Sequence, residues 1–243
     1  FWSPGPRTEM IASADRRFFG NGWEFRLRHR TSATALLVRA VREPTASNLG
    51  GAAASGSRLE DFLDAILTAR ISDPTQRAAA VAGLMATRGL QDALPGIAGI
   101  GANYPQLRTG GEATWVMLGT RHTVSLAAFA QSLRQLTLTD GSPIVAIPAD
   151  ADNRQMGGSI GLNRRLSPVM SIDGLGRWAR IEGYGLRAGE ESRESLYRLT
   201  LLRNLSSKTS ISLGLQHRSI DSRSTTADSF KENAGFLGLA HRF

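Results

Sequence analysis

The sequence predicts an all-β fold, an antiparallel up-and-down transmembrane β-barrel that carries two short helices in one long connection. Apolar and polar residues alternate with period two in about nine segments of the 243-residue chain, which is the pattern of strands with two different faces. Short and long breaks alternate between these segments. The longest apolar runs, such as 35–38 (ALLV), are far shorter than the roughly 20 residues of a membrane-spanning helix.

The alternating segments form four hairpins and a last single strand. In the first hairpin, Trp23, Phe25 and Leu27 share one face of the strand, while glutamate and arginine share the other. The segment with the weakest pattern is 113–120, where Val116 and Leu118 fall on the polar face. The predicted strands are 21–30 with 34–42, 113–120 with 122–131, 155–164 with 169–179, 196–204 with 210–218, and 232–243.

The breaks between strands predict which end of the barrel is which. Short breaks lie near 31–33, 120–122, 165–168 and 205–209, and long ones at 43–112, 132–153, 180–195 and 219–231. Outer-membrane barrels have short periplasmic turns and longer extracellular loops, whereas a soluble Greek-key sandwich has no reason to place all short turns at one end. Nine strands are an odd number, so we expect at least one strand before residue 21, and either more chain before Phe1 or a second chain that completes the barrel.

Aromatic residues supply a second criterion for a membrane barrel. If the short turns are periplasmic, the direction of every strand is fixed. Four aromatic residues then fall near the extracellular ends of strands, where amphipathic rings favour the membrane interface. They are Trp23, Trp115, Trp178 and Tyr197.

The long connection after the first hairpin predicts a helical insertion over 57–90 within the barrel domain of 1–243. Ser57 and Glu60 form a capping box before an apolar i, i+3, i+4 pattern that indicates a helix over 57–70. Asp73 then fits an N-cap, with Pro74 at the first helical position, Gln76 as box partner and Gly89 at the C-cap. These helices would pack on each other at the barrel mouth or lumen, or bind a partner.

The residues that could carry chemistry argue against an enzyme, a metal site or a cofactor. The chain has no cysteine, its four histidines are far apart in sequence, and no G-x-S-x-G motif occurs. The formal charge is +8, but the arginines are spread along the chain at strand-like intervals rather than clustered, so we expect no nucleic-acid binding.

The polar strand faces remain as the candidate site. Basic side chains there would favour anionic solutes or polymers in a barrel lumen, or would pair with acids to fill a closed interior. The residues predicted to face the lumen are Glu24, Arg26, Arg28, Arg30, Arg39, Asp173, Arg177 and Arg198.

Four stretches resemble the outer-membrane β-barrel family associated with the PEP-CTERM/exosortase system of Gram-negative bacteria. They are 18–36 (FFGNGWEFRLRHRTSATAL), 71–81 (ISDPTQRAAAV), 119–129 (GTRHTVSLAAF) and 231–243 (KENAGFLGLAHRF). The chain is similar to the C-terminal part of a longer member. The resemblance implies outer-membrane localisation, a part in exopolysaccharide or envelope biology, contact with outer-membrane lipid and lipopolysaccharide, and a terminal Phe243 read by the outer-membrane assembly machinery.

We therefore expect a porin-like conduit or secretion component of the outer membrane that handles an anionic polysaccharide. One alternative is a structural scaffold that binds another envelope protein through the 57–90 helices. The other is a soluble β-sandwich binding module.

Overall fold

Eleven antiparallel strands form one sheet in which each strand pairs with its neighbours in sequence. The computed structural model describes residues 2–5, 7–45, 73–87, 106–136, 152–184, 188–206, 208–223 and 229–241. The strands are β1 (Trp2–Gly5), β2 (Thr8–Arg17), β3 (Gly20–Arg30), β4 (Thr34–Thr45), β5 (Gln106–Leu118), β6 (His122–Gln135), β7 (Asn153–Ser167), β8 (Met170–Gly183), β9 (Glu191–Asn204), β10 (Thr209–Ser222) and β11 (Phe230–His241), and one helix, α1 (Pro74–Thr87), lies between β4 and β5.

This strand order confirms the predicted all-β, up-and-down fold class. Every pairing that follows β1 continues as an antiparallel hairpin, for example Trp23↔Arg42 between β3 and β4 and Leu213↔Leu237 between β10 and β11. Because the described sheet contains no crossover, the Greek-key sandwich alternative is wrong. Within the described residues β1 and β11 are the two edges of the sheet.

The beginning of the chain contains two strands that the alternation pattern did not predict. The expectation that a strand precedes residue 21 is confirmed, because β2 pairs with β3 from Thr8↔His29 to Arg17↔Gly20. The connection between them is only Phe18 and Phe19, followed by Gly20 at φ 98°. Glycine reaches this left-handed conformation without steric cost. A tight turn therefore lies at the end of the sheet where all long breaks were expected, so the strict alternation of breaks is wrong at this hairpin.

The strands also extend further into the long breaks than predicted. The β4–β5 ladder continues to Thr45↔Gln106 and the β8–β9 ladder to Glu182↔Glu191. Backbone hydrogen bonding does not depend on side-chain hydropathy, so a ladder continues through polar segments where the alternation of apolar residues has ended. The predicted break 180–195 is consequently reduced to the few residues between Gly183 and Glu191.

The helix α1 begins where its capping residues predict. The backbone N–H of Thr75 donates to Asp73 Oδ1 at 2.8 Å, and that of Arg77 donates to the Asp73 carbonyl at 3.0 Å, so Asp73 is the N-cap. The helix extends to Thr87, and the predicted C-cap Gly89 and helix 57–70 lie outside the described residues. No helix of the described chain is both long and apolar enough to cross a membrane.

The two faces of the sheet differ in chemistry and in exposure. One, here called the apolar face, carries Leu27, Leu36, Leu126, Ile160, Leu199, Leu213 and their register partners; the other, the polar face, carries Glu24, Arg39, Gln155, Arg177, Glu194 and theirs. On the apolar face Leu213, Leu215, Leu237 and Leu239 are between 54% and 72% exposed. On the polar face Gln106, Thr123, Ser125, Gln155 and Ser159 are buried.

This distribution is the reverse of that in a soluble protein. The fully buried Val41 and Val116, together with Ala35 and Leu118, also belong to the polar face, so the sheet curves around that face and leaves the leucines outside. A contiguous exposed apolar surface marks a membrane or an interaction surface.

Candidate functional site

The enclosed polar face carries two ion-pair clusters separated by a strip of amides. Alternation along each strand places all eight residues predicted to face a lumen on this face, through register pairs such as Arg26↔Arg39 and Leu175↔Arg198. Arginines outnumber carboxylates among its described strand residues. They are Arg17, Arg26, Arg28, Arg30, Arg39, Arg108, Arg165, Arg177, Arg198 and Arg218, against Glu9, Asp15, Glu24, Glu43, Glu112, Asp173, Glu194 and Glu232.

The first cluster, on β2 to β5, is centred on Glu24. Its Oε1 accepts from Arg26 Nη2 at 2.8 Å and from Arg39 Nε at 3.2 Å. The side chain of Arg39 is 15% exposed and also reaches Glu43 at 3.4 Å. One carboxylate oxygen that accepts from two guanidinium groups in a partly buried site makes two charge-assisted hydrogen bonds, so the three side chains hold one another in place.

Arg28 and Arg108 extend the first cluster. Arg28 Nη1 lies 3.9 Å from Glu9 Oε2. Arg108 is the register partner of Glu43 on β5, and its buried Nε has no hydrogen-bond partner among the described residues. A buried guanidinium N–H without a partner is costly, so this donor is available to an anion or a water molecule.

The second cluster, on β7 to β10, is centred on Glu194. Arg177 Nη2 lies 3.4 Å from Glu194 Oε1, and Arg218 approaches the same oxygen with Nε at 3.1 Å and Nη2 at 3.0 Å. Arg218 also lies over the ring of Phe230, 5.5 Å from its centroid, which is cation–π geometry. Asp173 accepts a hydrogen bond from Asn163 Nδ2 at 2.5 Å.

A chain of side-chain amides lies between the clusters, on β6 and β7. Gln131 Nε2 donates to Gln155 Oε1 at 2.8 Å, and Gln155 Nε2 donates to Asn153 Oδ1 at 3.0 Å. Amides bind polar solutes without adding net charge. The face therefore presents charged walls on both sides of a neutral hydrogen-bonding strip.

Sequence reasoning missed Glu194, Arg218, Glu43 and Arg108, and the reason is the position of the strand ends. Glu43, Glu194 and Arg108 lie one, two and five residues outside the predicted segments 34–42, 196–204 and 113–120, on ladders that continue past them, and Arg218 is the last residue of the predicted segment 210–218. Arg218 follows Gln216 on the same face, and this continued period of two is the signal that identifies it.

The four predicted interface aromatics lie on the apolar face, but not all at one end of the sheet. Trp23 is three residues from the long-connection end of β3, whereas Trp178 and Tyr197 are five and six residues inside β8 and β9. Trp115 is three residues from the opposite, short-turn end of β5. Its prediction was wrong because β5 begins at Gln106 rather than at 113.

Two histidines and the terminal phenylalanine are the remaining residues of interest. His29 and His241 lie at the short-turn end, each with Nδ1 2.9 Å from a threonine hydroxyl, that of Thr8 and that of Thr209. In the part of the chain that the structure describes, no group of three His, Asp or Glu residues is placed to hold a metal ion. Phe243, the predicted assembly signal, lies outside the described residues.

Comparison with known proteins gives only remote structural likenesses. No model of a protein family matches the chain, and no curated protein matches it. Among solved structures, OmpT, an outer membrane protein of Vibrio cholerae, is similar over 96% of this chain with 7% identity and a TM-score of 0.45. A loop-deletion mutant of OmpT gives 9% identity and a TM-score of 0.44. The CymD monoaromatic hydrocarbon channel gives 10% identity and a TM-score of 0.29.

The chain spans 62% of the length of the OmpT structure and 58% of that of its mutant. The fold assignment accordingly rests on the strand order and register of this chain.

Proposed function

We propose that this chain is a non-enzymatic, integral outer-membrane β-barrel of a Gram-negative bacterium that acts as a conduit for anionic solutes or polymers. The observation that carries the proposal is that the face with the two ion-pair clusters holds buried side chains, whereas leucines on the other face are exposed. Lipid tails accommodate exposed leucines, and a water-filled interior accommodates arginines. The same pattern on a soluble sheet would leave a large apolar surface in water.

The arginine excess on the enclosed face supports the choice of anions. Among the described residues Arg108 has an N–H without a partner, and Glu24 and Glu194 each lie between two arginines, so part of the guanidinium charge is not neutralised locally. Rings of arginine in a pore of low surrounding dielectric raise the local concentration of anions. The resemblance to barrels associated with the exosortase system favours an anionic exopolysaccharide as the physiological solute.

Planar-bilayer conductance in a salt gradient tests this proposal. We expect an open-channel current whose reversal potential is shifted toward the equilibrium potential of the anion. A polyanionic oligosaccharide should block this current, and a neutral oligosaccharide of equal length should not. Replacing both Arg177 and Arg218 with Gln should reduce the anion preference. Glu194→Gln should increase it, because it removes the carboxylate between those arginines.

A matched control for these variants is Arg203→Gln. Arg203 is the register partner of Met170 and Ile211 on the apolar face near the short turns, so its loss removes one charge without changing the enclosed face. A barrel that inserts but passes no current, or that keeps one selectivity across all variants, contradicts the conduit.

A further inference from the structure

A shallow groove crosses the apolar face from β4 to β9. It has a volume of about 360 Å³. Its floor consists of small residues that are register neighbours, Ala113↔Ala128 and Ala128↔Gly158. The bulky side chains around it are Leu36, Trp115, Leu126, Ile160, Trp178 and Tyr197.

The shape of the groove depends on its missing side chains. A Cβ on Gly158 would lie 3.1 Å from Trp178 Nε1, and one on Gly176 would lie 3.2 Å from Ile160 Cγ2. The rings therefore lie against bare backbone, and the floor stays open beside them. An extended alkyl chain suits an apolar groove of this kind, because each buried methylene adds a small favourable increment.

Arginines lie on the same strands and the same face, toward the long connections. Along β7, Arg154 is four residues from Gly158, and along β6, Arg134 is six residues from Ala128. At 3.2–3.4 Å per residue, these positions are about 13 and 20 Å from the groove floor. Arg42 of β4 lies in the same row, through the register pairs Arg42↔Thr109, Thr109↔Ser132 and Ser132↔Arg154.

These arginines retain their charge for an external partner. Arg134 lies over the ring of Tyr184, 6.0 Å from its centroid. Within the described ranges, neither Arg42, Arg134 nor Arg154 has a carboxylate within ion-pair distance. Glu182 is the register partner of Arg154 but pairs with Arg180 at 2.6 Å, and Asp152 Oδ1 accepts from the backbone N–H of Gln135 at 2.7 Å.

We propose that this surface is a binding site for one lipopolysaccharide molecule, with the glucosamine phosphates on Arg134 and Arg154 and an acyl chain in the groove. The proposal rests on the outer-membrane location proposed above. Guanidinium groups bind phosphate through paired, charge-assisted hydrogen bonds. The separation of arginines and groove matches a lipid whose phosphates lie at the membrane surface and whose acyl chains descend beside the strands. The long-connection end then faces the outer leaflet, where lipopolysaccharide resides.

The test is retention of lipid by the full chain purified from outer membranes in mild detergent and measured by native mass spectrometry. The double variant Arg134→Gln with Arg154→Gln should lower the fraction with bound lipopolysaccharide about tenfold, because two phosphate contacts are lost. The control pair, Arg164→Gln with Arg203→Gln, removes two arginines from the same face at the short-turn end and should leave retention unchanged. Ala128→Phe, which fills the groove floor, should also lower it.

Reconstitution with defined lipids separates the possible sources. Lipopolysaccharide should bind, whereas the same lipid without its phosphates, phosphatidylglycerol, and inorganic phosphate alone should not compete for the site. Equal retention by the wild type and the arginine double variant would overturn the proposal, as would equal binding of the dephosphorylated lipid or of phosphatidylglycerol. Membrane fractionation is carried out first. A chain found in the soluble fraction would refute the outer-membrane proposal itself. A membrane-embedded chain that does not retain lipopolysaccharide selectively would refute only this site.

Discussion

Aromatic rings lie directly opposite glycines at four places in the sheet. A ring that covers a glycine on the neighbouring strand replaces the packing that the missing side chain would provide. In each pair the ring lies within contact distance of the position where a glycine Cβ would be. The pairs are Phe129↔Gly157, Trp178↔Gly158, Tyr197↔Gly176 and Phe236↔Gly214.

Gly214→Ala tests this packing at its closest point. An added methyl group would coincide with the Phe236 ring, so the ring must leave its position. We expect the free energy of unfolding to fall by about 1–3 kcal/mol, the usual cost of overpacking. The measurement is guanidinium unfolding in detergent micelles, followed by tryptophan fluorescence.

Gly235→Ala is the matched control in the same hairpin. A Cβ there meets only Leu215 Cδ2, at 3.7 Å, and a backbone oxygen at 4.0 Å, so its effect should stay within about 0.5 kcal/mol. Equal destabilisation by both substitutions would show that strand glycines act through backbone freedom rather than through ring packing.

The face of each charged residue could be predicted from the sequence, but its partner could not. Alternation alone places Glu24, Arg39 and Arg177 on the polar face. The contact of Arg218 with Glu194 depends on the register of β9 and β10, where Leu196 is the partner of Arg218. The hydropathy of a single strand excludes register shifts that exchange the two faces, but it does not choose among the shifts of two residues that keep them.

At the level of elements, strong alternation predicted the centres of β3, β4 and β6 to β11, while weak alternation concealed β2 and the first half of β5. The segment 106–112 contains two glycines and two charged residues, so its hydropathy resembles that of a loop. It is nevertheless paired on both sides, with β4 and β6. Pairing with the neighbouring strands thus determines the extent of β5. Because β5 begins at Gln106, Trp115 is far from the long-connection end of the strand and close to its short-turn end.

The capping role of Asp73 at the start of α1 can be tested by substitution. Asp73→Ala removes the acceptor of the Thr75 N–H and should destabilise the helix by about 1 kcal/mol. Hydrogen exchange followed by mass spectrometry should show faster exchange over Pro74–Thr87 and unchanged exchange over β4 and β5. Asp73→Asn, which keeps a capping oxygen, should exchange like the wild type; equally fast exchange in both variants would contradict the cap.

At the scale of the whole molecule, the sheet has one apolar face with exposed leucines and one polar face with buried side chains. Buried Gln155 and Ser159 and exposed Leu213 and Leu237 belong to strands of one continuous ladder. Their opposite exposures follow from the curvature of the sheet, which no single strand determines. Polar side chains are buried and apolar side chains are exposed, which is the reverse of a soluble protein. The outer-membrane proposal explains this inversion.

Two adjacent positions on β9 test the inversion directly. Leu199 is 50% exposed on the apolar face, between Gly174 and Leu215, and Thr200 is on the polar face between Asp173 and Gly214. If lipid covers the apolar face, Leu199→Arg places a charge in the hydrocarbon region at a cost of about 2–4 kcal/mol. Thr200→Arg places the same charge in the enclosed interior beside Asp173, where the added attraction offsets its desolvation.

We therefore expect Leu199→Arg to reduce the folded fraction in outer membranes strongly and Thr200→Arg to leave it near that of the wild type. The folded fraction is measured from the heat-modifiable band in electrophoresis without boiling. Since both variants add one arginine to the same strand, total charge and strand propensity are matched and only the face differs. If Thr200→Arg is the more damaging of the two, the charged face is not the water-filled side, and the assignment of the two faces must be reversed.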